Sequence, residues 1–317
     1  MRQERKNTME LSILLAQQIL SLFLMGVVGF AIVKIGLFQS EESGVLSRLC
    51  VYICSPCVVV QAFQIECTPD KVKGLLMAMA ASVVIHAVFI GLMKVLRKPL
   101  GLNSIERASI IYSNSGNLII PLVSATFGPE WVFYTSAYTM VQTVLVWTHG
   151  KALICRGEKS SLRSIILNPN IIAMFIGIVL FAANIQLPGI ISSTIGGLGD
   201  MIGPVSMLVI GMLIGNVDLL WVLKQKRVYF ICFFRLIVMP VICILLFKLT
   251  GIAGYHAEGE TIILIVLLAG ASSAAALVTQ LAQVFGGDAK YASVINVMSV
   301  IFCVITMPLM VLLYELI

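Results

Sequence analysis

The sequence predicts an all-α membrane protein with ten transmembrane helices in two inverted five-helix repeats, and three observations predict it. Of 317 residues, 59% are apolar and only 11% charged, with a mean hydropathy of +1.03; a soluble domain carries about a quarter charged residues. The apolar residues fall into ten continuous runs close to the roughly 20 residues that a helix needs to cross a bilayer. The first half of the chain can also be laid over the second. Because each half holds five crossings, an odd number, the second half enters the membrane upside down relative to the first.

The runs lie near 11–33, 44–64, 74–96, 105–127, 131–153, 169–186, 190–214, 228–249, 259–284 and 290–315, joined by short charged or Gly/Pro connectors. A closed β-barrel would show alternating segments of about ten residues, whereas these runs are unbroken and rich in Leu, Ile, Val and Ala. Gln17 and Gln18 lie inside the first run and no small-residue cleavage site follows it, so it reads as a span rather than a removable signal. Residues 1–153 form the first repeat, 154–168 a loop and 169–317 the second repeat.

Charge sets the orientation. Lys34, Arg48, Lys94, Arg97, Lys98, Arg107, Lys151, Arg156, Lys159, Arg163, Lys224, Lys226, Arg227 and Lys290 lie at connections after odd-numbered helices. Arg2, Arg5, Lys6, Lys71, Lys73 and Lys248 lie on the other side. The positive-inside rule places the richer set in the cytoplasm and both termini outside it. The net charge of +6 is therefore a topology signal. The basic residues form short clusters beside helix ends rather than one patch, which argues against nucleic acid as a partner.

Two stretches carry the repeat. FGPEWVFYTSAYTMVQ (127–142) and FGGDAKYASVINVMSV (285–300) share a Phe-Gly start, an acid two residues later and an apolar helix with one amide, Gln142 and Asn296. CSPCVVVQAF and IGPVSMLVIG each hold a proline, Pro56 and Pro204, inside an apolar run. The fourth helix contains the most polar run in an apolar setting, YSNSGNLIIPL (112–122). Pro121 lacks an amide hydrogen and its ring clashes with the preceding turn, so a break or kink is expected between Asn117 and Pro121. Carbonyls freed there need partners, from Asn114, Ser115 and Asn117 or from a ligand. The ninth helix stands at the matching position and is small and hydroxylated, with Gly270, Ser272, Ser273, Thr279 and Gln280. Two interrupted helices crossing at mid-membrane would present helix ends to a shared site.

Plainer readings stand beside these. Ser, Gly and Ala in membrane helices often serve packing alone, and Pro is common there. Arg235, about eight residues into the eighth helix, faces an aqueous cavity, a carbonyl or an anion, or else snorkels to the cytoplasmic headgroups. His86 is a proton carrier or a satisfied core residue. Cys50, Cys54 and Cys57 share a helical face, but without a CxxC-plus-His pattern the eight cysteines read as packing groups rather than metal ligands. Asp200 and Glu66 are cation partners or interface residues. No GxSxG motif and no intramembrane acid pair supports an enzyme, and no cofactor is expected. A sensor or receptor on a transporter-like fold is the alternative function, although the chain lacks a long soluble effector region. The lack of a dense intramembrane carboxylate relay favours potential-driven export or uniport over proton pumping.

NSGNLIIP resembles the fourth-helix Asn-x-Gly-x-x-x-x-Pro run of the auxin efflux carrier family, which includes bacterial members and the plant PIN-formed relatives. LNPNIIAMFIGIVLF, LPGI, GPVSMLVIGMLIG, RLIVMP and ITMPL resemble its second half in order and spacing. The resemblance implies a bile-acid:sodium symporter-like fold with crossover helices 4 and 9. It also implies a scaffold of helices 1, 2, 6 and 7 and a transport domain of helices 3–5 and 8–10 that moves like an elevator. The implied cargo is a small organic anion, such as malate, a related carboxylate or an auxin-like acid. The expected partners are that anion, the lipid of the cell membrane and a second copy through the scaffold helices. On the resemblance Asn114 and Pro121 fall on the substrate-contacting crossover Asn and Pro, and Gln142 resembles a fifth-helix glutamine facing the same pocket; with Asn117, Ser272, Ser273 and Asn296, singled out by the residues themselves, these are the substrate-binding candidates. Half-helix N-termini near Asn117 and Ser273 would hold a carboxylate against amide donors from Asn114 and Gln142. Pro56 and Pro204 would form an apolar wall, and Arg235 is a further wall or gating candidate. The chain departs from the family at Ile119, where Gly is usual, and at Ser273, where the ninth-helix Pro is usual. Without that proline the ninth helix either unwinds on Gly270 and the Ala/Ser run or stays more regular.

Overall fold

A computed structural model describes residues 20–154, 169–215 and 224–317, with 17 and 167 as isolated positions. Much of the predicted first helix, the loop 155–166 and the side chains of Asn117 and Pro121 lie outside the described residues. The described regular elements are helical apart from one isolated bridge. They follow one another as α1 (Leu20–Lys34), α2 (Ser40–Ala62), α3 (Pro69–Leu96), α4, α5 (132–154), α6 (Pro169–Ala182), α7 (Gly189–Gly215), α8 (Lys226–Thr250), α9 and α10 (Ala289–Leu316). Two of them are split. The halves of α4 are α4a (Ser104–Ile111) and α4b, which runs from Ser115–Ile119 into Ile120–Thr126. The halves of α9 are α9a (Gly259–Ala271) and α9b (Ala276–Val284). Among the described residues α2, α3, α7, α8 and α10, at 23 to 28 residues, are long and apolar enough to cross a membrane. Shorter apolar helices are α1, α6 and α9a.

Helix starts follow ordinary capping chemistry. Thr68 caps α3 by accepting from Lys71 N at 3.2 Å, with Pro69 behind it, so the helix begins before the lysines that the apolar run had left outside. Asn103 and Glu106 cap α4a reciprocally at 2.8 and 2.9 Å. Asp288 caps α10 through Tyr291 N at 2.9 Å.

Prolines shape the helices in a repeated way. A five-residue π-helical turn ends two residues before Pro56 (Cys50–Cys54), before Pro121 (Ser115–Ile119) and before Pro240 (Phe234–Val238). Widening the turn takes up the missing donor and the ring clash without ending the helix. Of the break or kink expected between Asn117 and Pro121, the helix shows this widened turn and no break there; the gap in α4 lies upstream, at 112–114. The gap in α9, at 272–275, forms with Ser273 in place of proline.

Side-chain bonds draw the segments into two sets. Ser55 donates to Asn170 Oδ1 at 2.5 Å, Gln61 meets Ser192 at 3.5 Å and Leu187 N donates to Gln64 at 2.7 Å, tying α2 to α6 and α7. α1 joins them through glycines. A Cβ on Gly211 would stand 1.9 Å from the Gly26 carbonyl oxygen, and one on Gly29 2.3 Å from that of Leu208, so the two backbones touch. In the other set, Arg227 of α8 binds both oxygens of buried Glu106 at 2.7 and 3.0 Å, and Tyr291 of α10 donates to Glu106 at 3.0 Å. At the opposite end Lys248 of α8 and Tyr314 of α10 meet Glu260 of α9a at 3.5 and 2.6 Å. Lys71 of α3 lies over the rings of Trp131 and Tyr134, beside α5.

Replacing Gly211 by Ala forces a Cβ into the α1 backbone, and overpacking of this kind costs about 1–3 kcal/mol. The melting temperature of the detergent-solubilised protein should fall. Gly91→Ala, which meets nothing within 4 Å, should leave it unchanged or raise it. Equal melting temperatures for wild type and Gly211→Ala would refute the close α1–α7 crossing.

Candidate functional site

The two gaps meet. Asn114 N donates to Ser273 O at 2.8 Å and Ala275 N donates to Tyr112 O at 3.0 Å, making an antiparallel bridge of Ser113 with Ala274. In such a bridge the N–H and C=O of the two central residues point away from each other. Each pair has its own partner from a neighbouring helix. Gln142 of α5 accepts from Ser113 N at 2.8 Å and donates to Ser113 O at 2.8 Å. On the other side Asn296 of α10 donates to Ala274 O at 2.7 Å and Ser299 Oγ accepts from Ala274 N at 2.9 Å. Backbone that has left its helix is thus hydrogen-bonded without water, as a membrane interior requires.

Arg235 holds the remaining ends. It lies in the π turn of α8 with 0% of its surface exposed. Its Nη1 donates to Ile110 O at 2.9 Å and its Nε to Ser272 O at 3.1 Å, one carbonyl from the end of each first half-helix. Of the readings open from sequence, the structure selects the carbonyl contact, not snorkelling. Phe89 covers the guanidinium at 5.7 Å.

Beside the crossing is a cavity of about 80 Å³. Its floor is the first turn of both second half-helices, Ser115 and Gly116 of α4b with Ala276 and Leu277 of α9b. In a helix these first N–H groups lack intrahelical partners and carry the positive end of the dipole. Ser55 of α2 and Asn170 of α6 close one side, and Thr139, Gln142 and Trp147 of α5 another. Two buried donors at this cavity have no partner among the described residues: Asn114 Nδ2, on a residue 3% exposed, and Trp147 Nε1.

The sequence candidates are distributed unevenly around it. Asn114 and Gln142 line the cavity, but both Gln142 amide hydrogens are placed, on Ser113 O and on Ser115 Oγ at 3.0 Å. Asn117 and Pro121 are described here only by their backbone, within the π turn and just after it. Ser272 Oγ donates to Ala269 O at 3.2 Å, and Ser273 is buried with its hydroxyl unpartnered. Asn296 Oδ1 and Thr279 Oγ1, also unpartnered, line a separate space of about 10 Å³ against α7, about right for one water. Pro56 is half-buried beside Ser55, whereas Pro204 is exposed and does not line the cavity.

Sequence reasoning passed over Ser113, Trp147, Asn170 and Ser299. Ser299 stands three residues after Asn296 and Tyr138 four before Gln142, spacings that put each pair on one helix face. Trp147 carried no such signal.

Other titratable groups are otherwise engaged. His86, 1% exposed, bonds through Nδ1 to Ser82 O at 2.7 Å and packs on Tyr138 at 4.8 Å. Asp70, His256 and Glu258 come close enough to suggest a metal ligand set. However, His256 Nδ1 accepts from Glu258 N at 3.0 Å and Nε2 faces Asp70 at 3.3 Å, so both ring nitrogens are occupied in clamping α3 to the α8–α9 loop. Cys50, Cys54, Cys232, Cys243 and Cys303 are free and buried.

A family model described as membrane transport protein matches residues 14–161 and 153–311, nearly the whole chain. No curated protein matches it. With its long apolar helices, the chain is a multi-pass membrane protein and a membrane transporter. It belongs to the membrane transport protein family, which is the auxin efflux carrier family.

Proposed function

We propose that the protein is a secondary transporter of small organic anions, carboxylates such as malate or auxin-like acids, working by elevator-type alternating access. The observation that carries this reading is the donor excess at the crossing. The cavity is floored by two helix N-termini, and the two fully buried side-chain atoms at it that have no partner among the described residues, Asn114 Nδ2 and Trp147 Nε1, are both N–H donors. A carboxylate supplies acceptors for all of them and meets the favourable ends of two dipoles. At about 80 Å³ the space exceeds the about 10–15 Å³ needed by one water, enough for a carboxylate head.

The rest of the reading concerns movement and orientation. The two halves run as inverted repeats on a bile-acid:sodium symporter-like plan, with both termini outside the cytoplasm. α1, α2, α6 and α7 form the scaffold, which also serves any contact with a second copy. α3–α5 and α8–α10 travel as one body. Support comes from the bond sets: the Glu106–Arg227–Tyr291 cluster and the Lys248–Glu260–Tyr314 cluster brace opposite ends of the second group. The cavity lies where the groups meet, between Ser55 and Asn170 on one side and the crossing on the other.

Radiolabelled malate, pyruvate and indole acetate offered to proteoliposomes test the reading directly. Flux of at least one supports a carrier, and binding without flux gives the sensor alternative. Asn114→Ala removes a buried donor to an anion, worth about 1.5–3 kcal/mol. Uptake at low substrate should therefore drop roughly ten- to hundredfold with unchanged protein levels; uptake equal to wild type would remove Asn114 from the site. The elevator is tested by cross-linking in a background freed of native cysteine. A disulfide between Val209→Cys and Thr279→Cys, which line one small space across the two groups, should arrest uptake. One between Gln61→Cys and Ser192→Cys, within the scaffold, should not.

A further inference from the structure

The crossing has four helix ends, and their charges cancel. α4a and α9a end there with their carbonyls, worth about −0.5 charge each, and α4b and α9b begin there with their amides, worth about +0.5 each. Such an arrangement favours neither sign of ligand. Arg235 breaks the tie. Its Nη1 and Nε bond the carbonyls of Ile110 and Ser272, the two negative ends, its Nη2 is buried without a partner among the described residues, and it does not line the cavity. Among the described residues no carboxylate pairs with it. A fully buried cation without an acidic partner is costly in a membrane interior, and an anion arriving nearby relieves that cost.

We propose that Arg235 determines the charge of the transported substrate. It acts through its field rather than by contact: it masks both negative helix ends so that the cavity meets only the positive ones, and an anion is bound in preference to a neutral molecule of the same shape. The residue is thus a specificity determinant that touches backbone, not cargo. It has a route to the cavity wall through Tyr138, which lies beside the guanidinium and accepts a hydrogen bond from Ser113 at 3.2 Å. The inference rests on the anion reading above, and the test separates the two.

Purified wild type, Arg235→Gln and Arg235→Lys are compared for binding of malate, pyruvate and indole acetate against malamide, pyruvamide and indole acetamide, pairs matched in shape and differing in charge. Wild type should favour a carboxylate over its amide by at least about tenfold. Arg235→Gln should bring that ratio to near one. A ratio unchanged in Arg235→Gln overturns the proposal and leaves the anion reading standing; a wild type that binds no carboxylate overturns both.

Arg235→Lys supplies a second measurement if the glutamine variant does not fold. A lysine buried here loses its charge at a lower pH than it would in water, whereas arginine keeps it throughout. The carboxylate preference of Arg235→Lys should therefore be weaker than that of wild type by pH 10 and return as the pH is lowered. Wild type controls for the other titratable groups that face this position, Tyr138 of α5, His86 of α3, Cys243 of α8 and Cys303 of α10. A lysine variant whose preference follows wild type at every pH overturns the proposal.

Discussion

A helix that stops inside a membrane leaves backbone N–H and C=O groups with no water to turn to, and the architecture around the crossing answers that one requirement. Tyr112 and Asn114 pair with Ala275 and Ser273, Gln142 serves Ser113, Asn296 and Ser299 serve Ala274, and Arg235 takes the last carbonyls of both first halves. Once these are spent, two buried N–H donors are left over at the cavity, Asn114 Nδ2 and Trp147 Nε1. The binding chemistry is what remains after the structural account is settled.

That division explains why similar side chains play different parts. Gln142 and Asn114 are both buried amides beside the cavity, yet Gln142 is fully committed to the bridge and Asn114 keeps a free amide hydrogen bond donor. Asn296 serves Ala274 as Gln142 serves Ser113, though it shares its task with Ser299. The shorter amide reaches only the carbonyl, and a hydroxyl one turn on meets the N–H. The two sides of the bridge therefore reach the same end with different residues.

Most of the helix plan was legible because a bilayer demands long apolar runs, and α2, α7, α8 and α10 begin and end within a few residues of those runs. The polarity of YSNSGNLIIPL marked the first gap, and the hydroxylated run around Ser272 and Ser273 marked the second. Their details were not legible. Proline chemistry suggested a break or kink beside Pro121, and the chain widens a turn there without breaking, as it does before Pro56 and Pro240. Which of several polar groups bonds backbone and which is left over depends on distances between helices, and no spacing along one helix encodes that. Trp147, an aromatic in an apolar run, gave no sign that its N–H would face a cavity.

Neither gap is imposed by the covalent chain where it occurs: residues 112–114 precede Pro121 by several positions, and residues 272–275 contain no proline. What keeps both open is a set of partners drawn from other helices. Before those partners arrive, during insertion from the ribosome, each span has every reason to close into a single rod that shields its own polar backbone from lipid. The polypeptide can thus enter the bilayer as plain hydrophobic rods, and the interrupted geometry is acquired late, when the fifth, eighth and tenth segments dock. Assembly would then use the hydrogen bonds of the crossing first and leave to binding the donors that remain over.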